Sequence, residues 1–328
     1  MHRRRFMLSA LAAMLPAGIA PAAAAAAKVG ILINGGPGHP VIDAFRKGFA
    51  TLGYAEASGF AIEPRYAKGQ LDRLPALAAE LAQTGVDVIM ALGGPAARAA
   101  KNATSTIPIV FSIVTDPVAL GLVGSIDRPG GNATGITSLD PDQAIRQFEL
   151  IRTLLPKAAR VGILSDTTIP GADSSGLAPI DRANAAAGRK FDIEPLVRKV
   201  SDGPSPDYAG TLDALVKDGA EALLVLEVPM PLRDGKTVAE LATARRLPTI
   251  FPGGQSGTGG LIAYGTSVAD TWPRMPILVD RILKGTKPAG LPVETASRRE
   301  LVINLRTARA LALLIPDELL KRADRVIE

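Results

Sequence analysis

Six short loops hold the residues of this chain best equipped to meet a ligand. They are Asn34-Gly35-Gly36-Pro37-Gly38-His39, Gly93-Gly94-Pro95-Ala96, Thr115-Asp116-Pro117, Ser165-Asp166-Thr167, Glu227-Val228-Pro229 and Pro252-Gly253-Gly254-Gln255. Each follows a short apolar run. Their amide, hydroxyl and carboxylate side chains offer hydrogen bonds and charge. Their glycines let the backbone come close to a ligand, and a helix starting after such a loop turns free N–H groups toward an anion. This favours the holding of a small polar molecule. Several of these residues carry a second reading. His39 is either a ligand contact or a structural donor. Asp116, placed before Pro117, is either a ligand contact or a helix N-cap. Glu227 ends an apolar run, so it either faces a cleft or pairs with an arginine. Trp272 reads as packing rather than as a ligand platform.

Conversion of a ligand finds little support. The chain has no GxSxG or HExxH motif, no metal-ligand spacing and no cysteine, so a thiol nucleophile, a disulfide and a lipoprotein anchor are all excluded. The Asn34–Gly38 loop is not GxGxxG and lacks the lysine of a phosphate-binding loop, so no nucleotide is expected there. No catalytic residue, metal or cofactor is predicted. Carboxylate pairs remain open, and turnover of a bound ligand would revive an enzyme reading.

The elements that must position these loops are legible in a repeat. Val29-Gly30-Ile31-Leu32 returns as Val161-Gly162-Ile163-Leu164. The run Val86–Leu92 is echoed by Ala220–Leu226, and Ile107–Phe111 by Leu247–Phe251. These apolar runs, most of them β-branched and bounded by glycine or proline, read as buried strands. Helical periodicity lies between them, at Val41–Leu52, Leu71–Gln83 and Tyr208–Lys217 among others. Strand and helix alternate throughout, which predicts parallel sheets covered on both faces. Three blocks returning in order predict an α/β fold of two similar Rossmann-like lobes with a ligand cleft between them. In such sheets ligands sit beyond the carboxyl ends of the strands, where the six loops fall. The expected division is 1–27 signal peptide, 28–136 plus 265–298 lobe one, and 137–264 plus 299–328 lobe two. Thr134–Thr137 and Leu261–Tyr264 read as crossings between lobes, with Gly130-Gly131 and Gly259-Gly260 beside them. Val268–Lys284 reads as a helix returning to lobe one, with Pro273 and Pro276 in its first turns or kinking it.

Composition sets the outer limits. At 328 residues and 47% hydrophobic, the chain can bury one large or two ordinary cores. With 4% aromatics, small aliphatic residues must fill them. The formal net charge of +5 is spread without a long basic run, so nucleic-acid binding is not expected. Arg3-Arg4-Arg5, the apolar run Phe6–Ala20 and the alanines of 22–27 form a signal peptide. The apolar run is too short and too broken by Pro16 and Gly18 to span a membrane. Export through the general or the twin-arginine route, to a periplasmic monomer without a stable membrane anchor, is the expectation.

Beyond these readings, the stretch from Gly38-His39-Pro40 to Leu52-Gly53-Tyr54 resembles the opening of ABC-transporter substrate-binding proteins of the tryptophan/tyrosine-binding type. So do Gly69–Leu81, Ala103–Val110, Thr115–Gly135, Pro292-Val293-Glu294 and Val302–Leu305. The resemblance covers essentially the whole mature chain. It implies a type I periplasmic-binding-protein fold with three crossings, a small-molecule ligand, and permease subunits of an importer as partners. A periplasmic sensor that presents ligand to a signalling partner is the alternative. Carried over, the ligand shell draws on Asn34, Gly35, His39, Gly94, Pro95, Ala96, Thr115 and Asp116. It also draws on the crossing segment Leu139-Asp140, and from lobe two on Ser165, Asp166 and Glu227. Amino-acid-binding members tend to carry an Asp-Asn pair, suited to an ammonium group, where this chain has Val228-Pro229. Glu227 substitutes for that pair only if it turns inward.

Overall fold

The computed structural model describes residues 26–56, 59–167, 179–267 and 271–328. The expected signal peptide, 1–27, lies outside them except for its last two residues. The apolar runs become the middle of two sheets, buried on both faces. The first contains β1 (Ala27–Ile33), β2 (Phe60–Tyr66), β3 (Val88–Leu92), β4 (Ile109–Val114) and β5 (Ala133–Thr137). The second contains β6 (Arg160–Asp166), β7 (Glu194–Val200), β8 (Ala222–Val225), β9 (Thr249–Pro252) and β10 (Ile262–Thr266). The chain then returns to the first sheet with β11 (Glu294–Thr295) and ends in the second with β12 (Arg299–Asn304) and β13 (Arg325–Ile327).

The strand orders are β2-β1-β3-β4-β5-β11 and β7-β6-β8-β9-β10-β12-β13. Position by position the two sheets are the same, and the sequence repeat marks equivalent strands. Val29 faces Val88 across β1 and β3, while Val161 faces Ala222 across β6 and β8. Pairing is parallel except between β10 and β12, where the chain comes back antiparallel. That reversal, β13, and the short helix before it were not legible in periodicity, because each is too short to show one.

Helices α1 (Val41–Thr51), α2 (Leu74–Gln83) and α3 (Gly94–Ala103) flank the first sheet. In the second lobe follow α4 (Gln143–Leu154), α5 (Pro179–Lys190), α6 (Tyr208–Lys217), α7 (Pro229–Arg233) and α8 (Gly235–Ala244). Helix α9 (Met275–Leu283) returns to lobe one, and α10 (Leu305–Ala310) and α11 (Asp317–Arg322) close lobe two. Pro276 sits in the first turn of α9, where its missing N–H costs nothing. It packs so closely on α1 that a Cβ on Gly48 would lie 2.5 Å from its ring. Phe45, Phe49 and Phe60 fill one face of the first sheet, and alanines and leucines of α2 and α3 fill the other.

The passages between lobes lie later than the sequence implies. Thr134–Thr137 belongs to the fully buried strand β5 and Leu261–Tyr264 leads through β10. Gly135 is there because β4 runs so close that a Cβ would meet the Phe111 carbonyl at 2.1 Å. Gly130 and Gly131 likewise sit at the entrance to β5 rather than at a hinge. The chain crosses at 138–142, after Thr266, and at 296–298, and these three strands of backbone are tied together. Ala296 N donates to the Thr137 carbonyl at 2.9 Å, and Ser267 N to the Arg298 carbonyl at 3.1 Å. Arg299 Nε donates to Asp140 Oδ2 at 2.8 Å, with both side chains largely buried. Asp140 was expected at the ligand; its carboxylate is instead committed to this ion pair. Removing one partner of a buried pair strands the other charge, at a cost of about 3–5 kcal/mol. Arg299→Ala is therefore expected to lower stability by an amount near the bottom of that range in urea denaturation, and Asp140→Asn in the Arg299→Ala background should recover part of the loss.

Candidate functional site

The loops after the strand ends of both sheets face one another across a cleft of about 1200 Å³. Lobe one contributes Asn34, Gly35 and His39 after β1, Gly94 and Pro95 at the start of α3, and Thr115 and Asp116 after β4. Lobe two contributes Glu227 after β8. Eight of the sequence-predicted residues are thus brought together. Each side chain is set by its local turn. Gly93 adopts φ +82°, a left-handed conformation that turns the chain from β3 straight into α3. Asp116 Oδ1 accepts from the N–H groups of Val118 and Ala119 at 3.2 and 2.9 Å. It therefore caps the turn at 117–121, which is not a helix, and it also lines the cleft.

Burial lowers the pKa of His39 below the usual imidazole range. Its Nδ1 accepts from Val41 N at 3.3 Å, so the neutral ring carries its proton on Nε2. The Trp272 ring stands 5.5 Å from it, tilted by 59°, and also lines the cleft. Trp272 Nε1 and Asn34 Oδ1 are buried without a hydrogen-bond partner among the described residues. Both residues line the cleft. Buried polar atoms are rarely left unpaired, and one left so in a binding site is a place for a ligand atom or a water.

Four predicted residues lie elsewhere. Ala96 is wholly buried in the lobe-one core, where its small size lets α3 approach the sheet. Asp140 pins the crossings. Ser165 and Asp166 are fully buried at the end of β6. Asp166 Oδ2 accepts from Met230 N at 2.8 Å, which fixes the start of α7 and so the loop bearing Glu227. Other residues complete the walls. Arg98 and Asn102 follow Pro95 by roughly one and two turns of α3. That helical spacing could have revealed them. Thr167 belongs to the nominated loop after β6, whereas Lys68, Asp72, Asp202 and Arg233 gave no such signal. Lys68, Arg98, Asp72 and Asp202 have no ion-pair partner among the described residues.

Glu227 does turn inward. Burial pushes its carboxyl up to about 7, although the nearby Ser138 side chain and the charge of Arg299 act the other way. The acid therefore stands between the ligand space and the crossings. Among the described residues no group of three His, Cys, Asp or Glu is placed to hold a metal, and no helix is long and apolar enough to cross a membrane.

Comparison with known proteins agrees with this geometry. A family model described as ABC transporter substrate binding protein matches residues 29–327. A tyrosine-binding protein of Clostridioides difficile is 28% identical over 284 residues, 83% of this chain and 78% of that one. A conserved domain protein from Vibrio cholerae superposes with a TM-score of 0.81 at 25% identity, covering 92% of this chain and 99% of that one. An ABC domain from Streptococcus pneumonia solved in complex with L-Trp gives 0.79 at 26% identity, with 92% and 100% covered.

The raised Glu227 has a consequence for stability. The folded protein holds this proton more tightly than the unfolded chain does. The stability it contributes is complete below about 4.5, the ordinary value, and is lost as pH rises through about 7. Without ligand, the melting temperature of the parent relative to Glu227→Gln is expected to fall as pH rises from 4.5 to 7.5. Parallel curves across that window would place the Glu227 carboxyl in an ordinary, solvated state.

Proposed function

The chain belongs to the ABC transporter substrate-binding protein family, and from that premise we propose that it is an exported receptor that captures a small amino-acid-like organic ligand, aromatic or apolar in its body, and hands it to the permease of an importer. The observation that carries this reading is Glu227 lining the cleft. It supplies the acid that Val228-Pro229 lacks, and it faces a wall with Arg98 and Lys68 on the other lobe. Such a cleft suits a zwitterion, with its carboxylate toward lobe one and its cation toward lobe two. His39 and Trp272 offer an aromatic surface for the ligand's body. The neighbours that bind tyrosine and tryptophan support an aromatic amino acid as the first candidate. The cleft exceeds the roughly 300–1,000 Å³ of an ordinary ligand pocket, so an amino acid touching both walls draws the lobes further together. A ligand that binds the closed form better shifts the population toward it. In this reading the ligand is released unchanged, and recovery of an altered ligand would overturn it.

The test is a thermal-shift screen of L-tryptophan, L-tyrosine, other amino acids and aromatic acids, followed by calorimetry in buffers of different ionisation heat. A ligand ammonium beside Glu227 favours its carboxylate, so at pH 7 binding should release about half a proton from a group titrating near that pH. Glu227→Gln should abolish the buffer dependence and weaken binding about ten- to a hundredfold. A ligand without an amine would bind without proton release, and a screen in which no small molecule raises the melting temperature would overturn the receptor reading. Asp116→Asn keeps a capping oxygen but removes the charge, so an unchanged affinity in that variant would leave Asp116 as a cap alone.

A further inference from the structure

We propose that Arg233 is a clasp between the lobes, a positioning residue of lobe two that holds the lobe-one ligand loop through the backbone of Gly69. The inference rests on the reading of the cleft as a binding site between lobes that move. Arg233 is held rigidly on its own side. Its Nε and Nη2 donate to the two oxygens of Asp234 at 2.8 and 2.5 Å, and Asp234 also accepts from the Tyr208 hydroxyl at 2.9 Å. A guanidinium fixed in this forked pairing keeps donors at its other end. One of them, Nη1, reaches across to the Gly69 carbonyl at 3.4 Å.

Gly69 is shaped for this approach. Its φ of +79° is left-handed, and a Cβ there would stand 3.1 Å from Arg233 Cδ. Its own N–H donates to the Asn34 carbonyl at 2.7 Å, and Lys68 N donates to the Gly35 carbonyl at 3.1 Å. The path from Arg233 thus ends on the loop whose Asn34 side chain carries an unpartnered buried oxygen in the cleft. An apolar contact accompanies it. Leu71 packs against the core of its own lobe and against a core cluster of lobe two. These residues follow β2, the edge strand farthest in its sheet from β5 and β11, where the crossings leave. The lobes are joined at the hinge by covalent chain and at the far side by this clasp.

Two lobes touching without ligand need less ligand binding energy to close, and a ligand inside must wait for the clasp to open before it leaves. Arg233 accordingly sets the unliganded distance between lobes and the rate of release. The chain has no cysteine, so Ala76→Cys and Lys236→Cys, at exposed positions flanking the clasp, can carry spin labels without background. Pulsed electron–electron resonance on the unliganded protein should show a short interlobe distance in the parent. Arg233→Ala and, separately, Leu71→Ser should broaden it toward longer distances, with Arg233→Lys between. With L-tryptophan, or the screen's strongest binder, as probe, stopped-flow release from Arg233→Ala should be about three- to tenfold faster, the worth of one ordinary hydrogen bond, as suits a contact of 3.4 Å. Unchanged distances in both variants overturn the clasp, including where melting temperature falls, which would mark a merely structural role. The unliganded distances bear on the clasp alone, whereas failure of every ligand to alter the parent distance bears on the receptor reading.

Discussion

The structure depends on three crossings of backbone being held as one strap. Each lobe has its own sheet and its own pair of cores, so apart from the Arg233 clasp the lobes depend on the crossings for how they face one another. That relation is set where residues 138–142, the segment after Thr266 and residues 296–298 run together. The Asp140–Arg299 ion pair lies there, reinforced by Arg299 donating to the Ala296 carbonyl. A partly buried pair adds little net energy compared with apolar packing, yet it tolerates only one geometry. For a hinge, that is the useful property: rotation about the strap is permitted while sliding of one lobe past the other is resisted.

Glu227 joins this strap to the ligand space. Its carboxyl lies in the cleft, and Arg299 lies within electrostatic reach. Arg299 is thus shared between Asp140 and Glu227, and only the first has the short contact. Burial holds Glu227 up near 7, and Arg299, in short contact with Asp140, offsets that only in part. A cation entering the cleft would relieve the second acid without disturbing the first. Charge at the ligand and geometry at the hinge are therefore linked through a single guanidinium.

Much of this was legible in the residues, and the exceptions have physical causes. The repeat of Val29–Leu32 at Val161–Leu164 identified equivalent strands because both are buried on two faces, and such strands carry the least freedom in sequence. The loops after them were legible because a parallel sheet leaves one end open to ligands. Roles within the loops were less so. Asp166 and Asp140 have the same chemistry as a ligand-binding acid, and only tertiary packing turned one onto the Met230 amide and the other onto Arg299. Lys68 and Asp202 were hidden because edge strands β2 and β7 alternate weakly, with half-buried residues along their length. Arg233 was hidden because α7 is a single short turn whose neighbours cannot be inferred from spacing.

The duplication also explains why the cleft is polar in an ordered way. Equivalent strands deliver equivalent loops to opposite walls. Lys68 follows the end of β2 by two residues, and Asp202 follows the end of β7 by two. Asn34 directly follows β1, and Thr167 directly follows β6. A faithful copy would have set like charge against like, and two such walls would repel as they closed. Divergence has instead mixed the signs: Lys68 and Arg98 stand with Asp72 and Asp116 on lobe one, and Glu227 and Asp202 with Arg233 on lobe two. Charges of both signs therefore face the cleft from both lobes, and the loops that carry them are the ones that the parallel sheets leave open.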